Sequence, residues 1–344
     1  MDMAGLRLFL SGLMHGRWSM LSGMTICING QSHGSGNVLT IRKGHGQLFL
    51  LILDVSHIIE MSIIFIGGRL DLEIKEYLSR VGIRRVTELD TALTEAFGQK
   101  EGESHIERLT KLFDQSEERL VYGKGNTRYL HRQQELVDYL NQSLEMSLLA
   151  SSFYDRVFFR RVLEYLVQYD TFCAGDIADI GCGNGILTCY LALCHPDSNV
   201  TGLDLSRNAV LVAKELARSL RADNAHFFTP EAPWRKGCDT LFSCRTVHEN
   251  VVWEALCKEP KPSALPVEEL AKRHEAYAKE LATLVRDKGY LVSVERYEDD
   301  NTYAGLIRAL ERAGFCQVKG THVQFSCKNG DNMAVFQEMI FQKM

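Results

Sequence analysis

Two stretches of this chain carry residue types at spacings that can hold a nucleoside. The first, Ile177-Ala178-Asp179-Ile180-Gly181-Cys182-Gly183-Asn184-Gly185-Ile186-Leu187-Thr188, reads as a short buried strand, a glycine turn and the start of a helix. The second, Val200-Thr201-Gly202-Leu203-Asp204, reads as a strand ending in a lone carboxylate. Glycine tolerates positive φ and has no Cβ, so the backbone of such a turn can approach a ligand closely. Asp204 falls nineteen residues after Gly185, where the tip of a neighbouring parallel strand would offer its two oxygens to the two hydroxyls of a ribose.

Two cofactor classes use that layout, and spacing separates them. A dinucleotide fingerprint needs G-x-G-x-x-G so that a helix N-terminus faces a pyrophosphate. Here the third glycine comes one residue early. Gly181-x-Gly183-x-Gly185, with Asp179 two residues before it, resembles motif I of the class I S-adenosylmethionine-dependent methyltransferases. The resemblance implies S-adenosyl-L-methionine as cofactor, Asp179 near its methionyl end and Asp204 on its ribose. Gly181, Cys182, Gly183, Asn184, Gly185, Leu205 and Arg245 are expected around the same pocket, Cys182 and Asn184 mainly through backbone. Ala225-His226-Phe227-Phe228 reads as the third strand, and the family commonly places an acid after it to meet the adenine amine. Glu231 is the matching position, with a solvated loop acid as the alternative.

The fourth strand, Thr240 to Arg245, delivers Thr246-Val247-His248-Glu249-Asn250 to the mouth of the site, where an open parallel sheet binds its ligands. The Asn/Asp-Pro-Pro-Tyr tetrad of the amino-methylating DNA and protein-glutamine enzymes is absent. Arg245 to Asn250 instead looks like the Arg-x-x-Leu-His-Asp-Trp stretch of small-molecule O-methyltransferases, in which the histidine removes a hydroxyl proton. His248 and Glu249 are therefore the candidate catalytic pair, with His248 as base or as a structural histidine, and Glu249 orienting it or acting as base itself. A neutral histidine is well matched to taking a proton from an alcohol or phenol near pH 7. A zinc-protease reading fails, because Val252 stands where the second histidine belongs. No metal is expected.

The elements that must position these groups follow in order. Ser104 with Glu107 resembles a capping box, opening a helix with Ile106, Leu109, Leu112 and Phe113 on one face. Gly123-Lys124-Gly125-Asn126 breaks it from a second helix over Tyr129 to Leu149, and a third over Phe153 to Tyr169 leads into the glycine motif. In similar methyltransferases such a helix forms the near wall of the substrate cleft, which brings Tyr154 and Arg156 into view as ligand contacts or as ordinary packing and surface residues. After Trp253, the segment Lys258-Glu259-Pro260-Lys261-Pro262-Ser263 is either a stiff lid hinge or a solvated elaboration. A charged helix over Val267 to Val285, a turn at Asp287-Lys288-Gly289-Tyr290, a fifth strand over Leu291 to Glu295 and a helix over Thr302 to Ala313 come next. Phe315 to Val318 and Val335 to Phe341 resemble the antiparallel closing hairpin of this fold.

The N-terminal part is less legible. Thr25 to Ile28, Val38 to Ile41 and Leu48 to Val55 look like strands. Ser62 to Ile66 is expected to run into Gly67-Gly68, then a helix over Leu72 to Val81 and a short strand at Arg85-Val86-Thr87. The glycine pair is either a phosphate cradle or a tight turn in a packing subdomain; no basic residue or ribose acid completes a site there.

With 344 residues, 39 basic and 44 acidic, the chain has a net charge of −5, which argues against a surface built for nucleic-acid phosphates. Its ten cysteines form no C-x-x-C pair and fit free thiols in a reducing cytosol. Leu48 to Ile66 is interrupted by Asp54, His57 and Glu60, so no stretch meets the membrane requirement of about 18 apolar residues. Residues 1–24 do not read as a signal peptide. The expectation is an α/β protein with a doubly wound, Rossmann-like methyltransferase sheet and an N-terminal mixed, mostly helical region: 1–100 an α/β part, 101–150 a helical linker or cap, 151–344 the cofactor-binding domain. The expected activity is methylation of a hydroxyl or other heteroatom of a small molecule by a cytoplasmic enzyme, with a homodimer allowed. Protein, peptide or RNA methylation, or a non-catalytic scaffold of the same fold, are the alternatives.

Overall fold

The computed structural model describes residues 17–20, 24–28, 37–43, 46–52, 73–122, 127–231, 237–246, 265–297, 300–329 and 332–344. The chain divides into two compact units, Met1–Leu72 and Glu73–Met344. The helices of 73–168 thus fall in the same unit as the sheet.

The first unit is an antiparallel meander of β1 (Arg17–Met20), β2 (Met24–Ile28), β3 (Asn37–Lys43) and β4 (Gly46–Ile52), each strand paired with the next. Three of these strands were legible from β-branched and aromatic runs, and β1 was not. The expected strand at 62–66 and the Gly67-Gly68 turn lie outside the described residues.

The second unit is built on one sheet. Strands β5 (Ile177–Ile180), β6 (Val200–Leu203), β7 (Ala225–Phe228), β8 (Cys238–Cys244), β9 (Val285–Arg296), β10 (Phe315–Gln317) and β12 (Asn332–Lys343) lie in the order β10-β12-β9-β8-β5-β6-β7. Pairing is parallel from β7 through β9 and antiparallel at β12. β12 also carries β11 (Val323–Asn329), a hairpin partner whose polar, mixed sequence gave no strand signal. The order reverses at β5, with β6 on one side and β8 on the other, and a crevice opens outside the carboxyl ends of the strands at such a switch point.

Side-chain alternation explains why these strands are buried on both faces. Ile177, Phe242 and Val292 point into a core shared with helix α1 (73–81), α6 (Arg156–Gln168), α7 (Ile186–Cys194) and α8 (Arg207–Leu220). Their neighbours Ala178, Leu241 and Leu291 point into the opposite core, against α9 (Val267–Leu284) and α10 (Asp300–Arg312). Leu93, Leu109, Met146 and Leu149 form a third, smaller cluster among α2 (Leu89–Phe97), α3 (Gln99–Tyr122) and α5 (Leu144–Tyr154).

Three expectations for the helical region are corrected. Residues 85–87 form no strand. α3 begins at Gln99, so Ser104 sits inside a helix and not at its cap. The single helix expected over 129–149 is two, α4 (Thr127–Leu140) and α5, because Ser143 adopts extended backbone and its Oγ accepts from the Met146 amide at 3.2 Å, starting a new helix.

Candidate functional site

At the switch point, β5 ends in Asp179-Ile180 and the chain turns through Gly181 to Gly185 into α7. Gly183 has φ +53, and a Cβ placed on it would meet nothing within 4 Å. That open side is where backbone can lie against a ligand. Gly185 has φ +80 and caps α7, and a Cβ there would come within 2.8 Å of Ala213 and 3.0 Å of Phe227, so the third glycine serves helix–sheet packing.

Asp204 closes the turn from below. Its Oδ2 accepts from the Gly183 amide at 2.9 Å and its Oδ1 from the Ser206 amide at 2.8 Å. An ionised carboxylate has about four acceptor positions, so each oxygen keeps capacity for a hydroxyl. Burial raises the Asp204 pKa, the two amides oppose that shift, and the nearby Asp138 carboxylate adds to it. Leu205, next along, is 68% exposed, an apolar surface at the pocket edge.

Asp179 is 1% exposed. Thr188 on α7 donates to its Oδ2 at 2.5 Å, while Oδ1 has no hydrogen-bond partner among the described residues. Burial pushes its pKa up to about 7, the Thr188 bond opposes this, and Asp204 adds to it. An orphaned buried oxygen of this kind is completed by a donor or a cation.

A cavity of about 660 Å³ joins these groups. Asp179, Gly181, Cys182, Gly183, Asn184, Asp204, Leu205 and Arg245 all line it. Gly185 does not, since its Cα faces the sheet packing described above. Glu231 is exposed, and Pro230 takes its place in the lining. His248 and Glu249 lie outside the described residues, as does the segment 258–263. Of the two cleft-helix residues, Tyr154 lines the cavity.

Arg245 leaves β8 with φ +62. Its Nη1 pairs with Asp155 Oδ1 at 2.7 Å, and its guanidinium lies 4.8 Å from the Phe158 ring centre. This residue therefore braces the strand end against α6 as well as facing the cavity.

The helical wall was not legible in advance. Asn184 Nδ2 donates to Ser147 Oγ at 3.0 Å and to Ser151 Oγ at 2.8 Å, both on α5. Ser206 Oγ meets Asp138 Oδ1 at 2.5 Å, and Asn208 donates to the Asp138 carbonyl at 2.9 Å. The signal that could have found them was small and polar residues, Asp138, Ser147 and Ser151, on helices otherwise read as apolar-faced.

Residues 174–232 match a family model described as a methyltransferase domain. The release factor glutamine methyltransferase of Vibrio cholerae is 33% identical over 86 residues, 25% of this chain and 30% of that protein. An uncharacterized phycocyanin operon protein W of Pseudanabaena tenuis is 42% identical over 53 residues, 13% of this chain and 50% of that protein. The chain thus spans no more than half the length of these relatives. Among solved structures, magnesium protoporphyrin IX methyltransferase from Synechocystis with bound S-adenosylmethionine is similar at 17% identity and a TM-score of 0.38, over 76% of this chain and all of that one. The sheet that carries residues 174–232 is doubly wound and Rossmann-like in its strand order.

Proposed function

We propose that the chain is an S-adenosylmethionine-dependent methyltransferase acting on a hydroxyl of a small molecule. The observation that carries this reading is that one cavity is lined both by the glycine turn and Asp204 and by the end of β8 and α9. The donor and the acceptor of a methyl group need such a shared space. α4 and α5 close over it, which suits a small acceptor better than a polymer.

The residues present fit the cofactor. The open side of Gly183 and the spare acceptor capacity of Asp204 suit a ribose, and the exposed Leu205 suits a flat base. The orphaned oxygen of Asp179 suits the cationic methionyl end, whose charge favours ionisation of a carboxyl raised to about 7. When bound, the cofactor supplies an electrophilic methyl on sulfur. What remains for the protein is to hold the acceptor oxygen in line with that methyl, the contribution that orientation makes to such reactions. The proton of the acceptor hydroxyl is assigned to His248, with Glu249 as its orienter.

The relative that modifies a release factor does not set the acceptor here. β8 ends at Cys244, and the sequence that follows it is Arg245-Thr246-Val247, not Asn/Asp-Pro-Pro-Tyr. Calorimetric titration with S-adenosylmethionine and S-adenosylhomocysteine tests the cofactor assignment, and failure of both to bind would remove it. His248→Ala is expected to lower turnover by about a hundredfold or more while cofactor affinity stays unchanged, as for loss of a general base.

A further inference from the structure

Beyond the cofactor residues, the cavity has a second polar feature at the carboxyl ends of β8 and β9. Alternation along these strands puts Leu241 and Ser243, and Leu291, Ser293 and Glu295, on the face covered by α9 and α10. The apolar members fill the core, and the polar ones cluster at the strand ends. Glu295 is 0% exposed and Ser243 1%. Ser243 Oγ donates to Glu295 Oε1 at 2.8 Å. Thr246 Oγ1 lies 2.7 Å from Ser243 Oγ and 3.5 Å from Glu295 Oε1. The Tyr277 hydroxyl, from α9, lies 2.5 Å from Thr246 Oγ1, and Tyr277 is one of the residues that line the cavity.

With Glu295 ionised, the direction of this chain is set at its buried end. A carboxylate only accepts. With the Ser243 proton directed to Glu295, Ser243 oxygen accepts from Thr246. Thr246 oxygen in turn accepts from Tyr277. Every proton then points inward, and the Tyr277 oxygen keeps acceptor capacity of its own.

We propose that Tyr277 reads the methyl acceptor: its phenolic oxygen accepts a hydrogen bond from the acceptor, which therefore presents an O–H or N–H at this point and not a carboxylate. Tyr277 is in this account a specificity residue, and Ser243, Thr246 and Glu295 are positioning residues that hold it as an acceptor. The Thr246 methyl also packs on the Cα of Gly181, the first glycine of the turn, so the chain sits directly beside the cofactor loop.

This inference rests on the methyltransferase reading, and the experiment separates the two. Full-length protein is saturated with S-adenosylhomocysteine, and phenol and the size-matched fluorobenzene are titrated by ligand-observed NMR. The expected result is preference for phenol in the wild type and a drop of about tenfold in that preference in Tyr277→Phe, the size of one hydrogen bond. Ser243→Ala keeps the phenol of Tyr277 but releases the chain, and is expected to weaken the preference as well. Equal preference in wild type and Tyr277→Phe, or no phenol binding by protein that holds S-adenosylhomocysteine, overturns the inference alone. Failure to bind S-adenosylhomocysteine overturns both.

Discussion

At the scale of single residues, the site is set by where buried carboxyls find donors. Asp204 receives two backbone amides, and Asp179 receives one hydroxyl and keeps an orphaned oxygen. Replacing Asp204 by Asn removes the anion that holds the Gly183 amide and, in the functional reading, the ribose. Hydrogen bonds to charged groups contribute about 1.5–3 kcal/mol, so S-adenosylhomocysteine affinity is expected to fall by at least about tenfold in calorimetry. Glu338, which does not line the cavity, behaves differently. It is 2% exposed, its Oε1 has no hydrogen-bond partner among the described residues, and burial pushes its pKa from 4.5 up to about 8. The folded protein therefore holds a proton that the unfolded chain releases above about 4.5. Its contribution to stability is complete below that pH and declines as pH rises towards 8. Glu338→Gln is expected to flatten this slope in denaturant titrations between pH 5 and 8 and to stabilise the protein at the upper end. An unchanged slope would remove Glu338 as its source.

At the scale of elements, what could be read in the sequence was what repeats with a period. The central parallel strands were legible because burial on both faces makes them continuous apolar runs, as in Leu241-Phe242. The glycine turn was legible because positive φ selects glycine. Helix ends were not, since Ser143 and Ser206 act through one side-chain oxygen each and leave no periodic trace. Nor was β11, whose residues Gln324, Ser326 and Lys328 suit a loop as well as an outer strand. Ser206 shows how much such a residue can hold: it caps α8 by accepting from the Ala209 amide at 3.1 Å, and its hydroxyl reaches Asp138 on α4. Ser206→Ala is expected to cost about 1 kcal/mol or somewhat more, the usual loss for a helix cap plus a second bond. Thermal unfolding should register this as a midpoint lower by about 2–4 °C.

At the scale of the whole molecule, the cofactor cavity lies within the second unit, between the sheet's switch point and the helices that precede it. A ligand that binds only the folded state stabilises it by about 2.7 kcal/mol at a hundred times its dissociation constant. S-adenosylhomocysteine is therefore expected to raise the melting temperature of this unit in a concentration-dependent manner, and Asp204→Asn to blunt the rise. No helix among the described residues is long and apolar enough to cross a membrane. The eight described cysteines whose state is assigned are all free, among them Cys182 within the turn.

The stitching of α4 and α5 to the turn has one more consequence. Asn184 and Ser206 flank the two halves of the nucleotide cradle, and both are anchored by side chains that come 33 to 68 residues earlier in the chain. A gene trimmed to begin at the strand before the glycines would encode the whole recognisable signature yet strand those two anchors in water. The roof is thus part of the mould in which the cradle sets, and grafting the signature elsewhere without its roof would transplant the lettering without the shape.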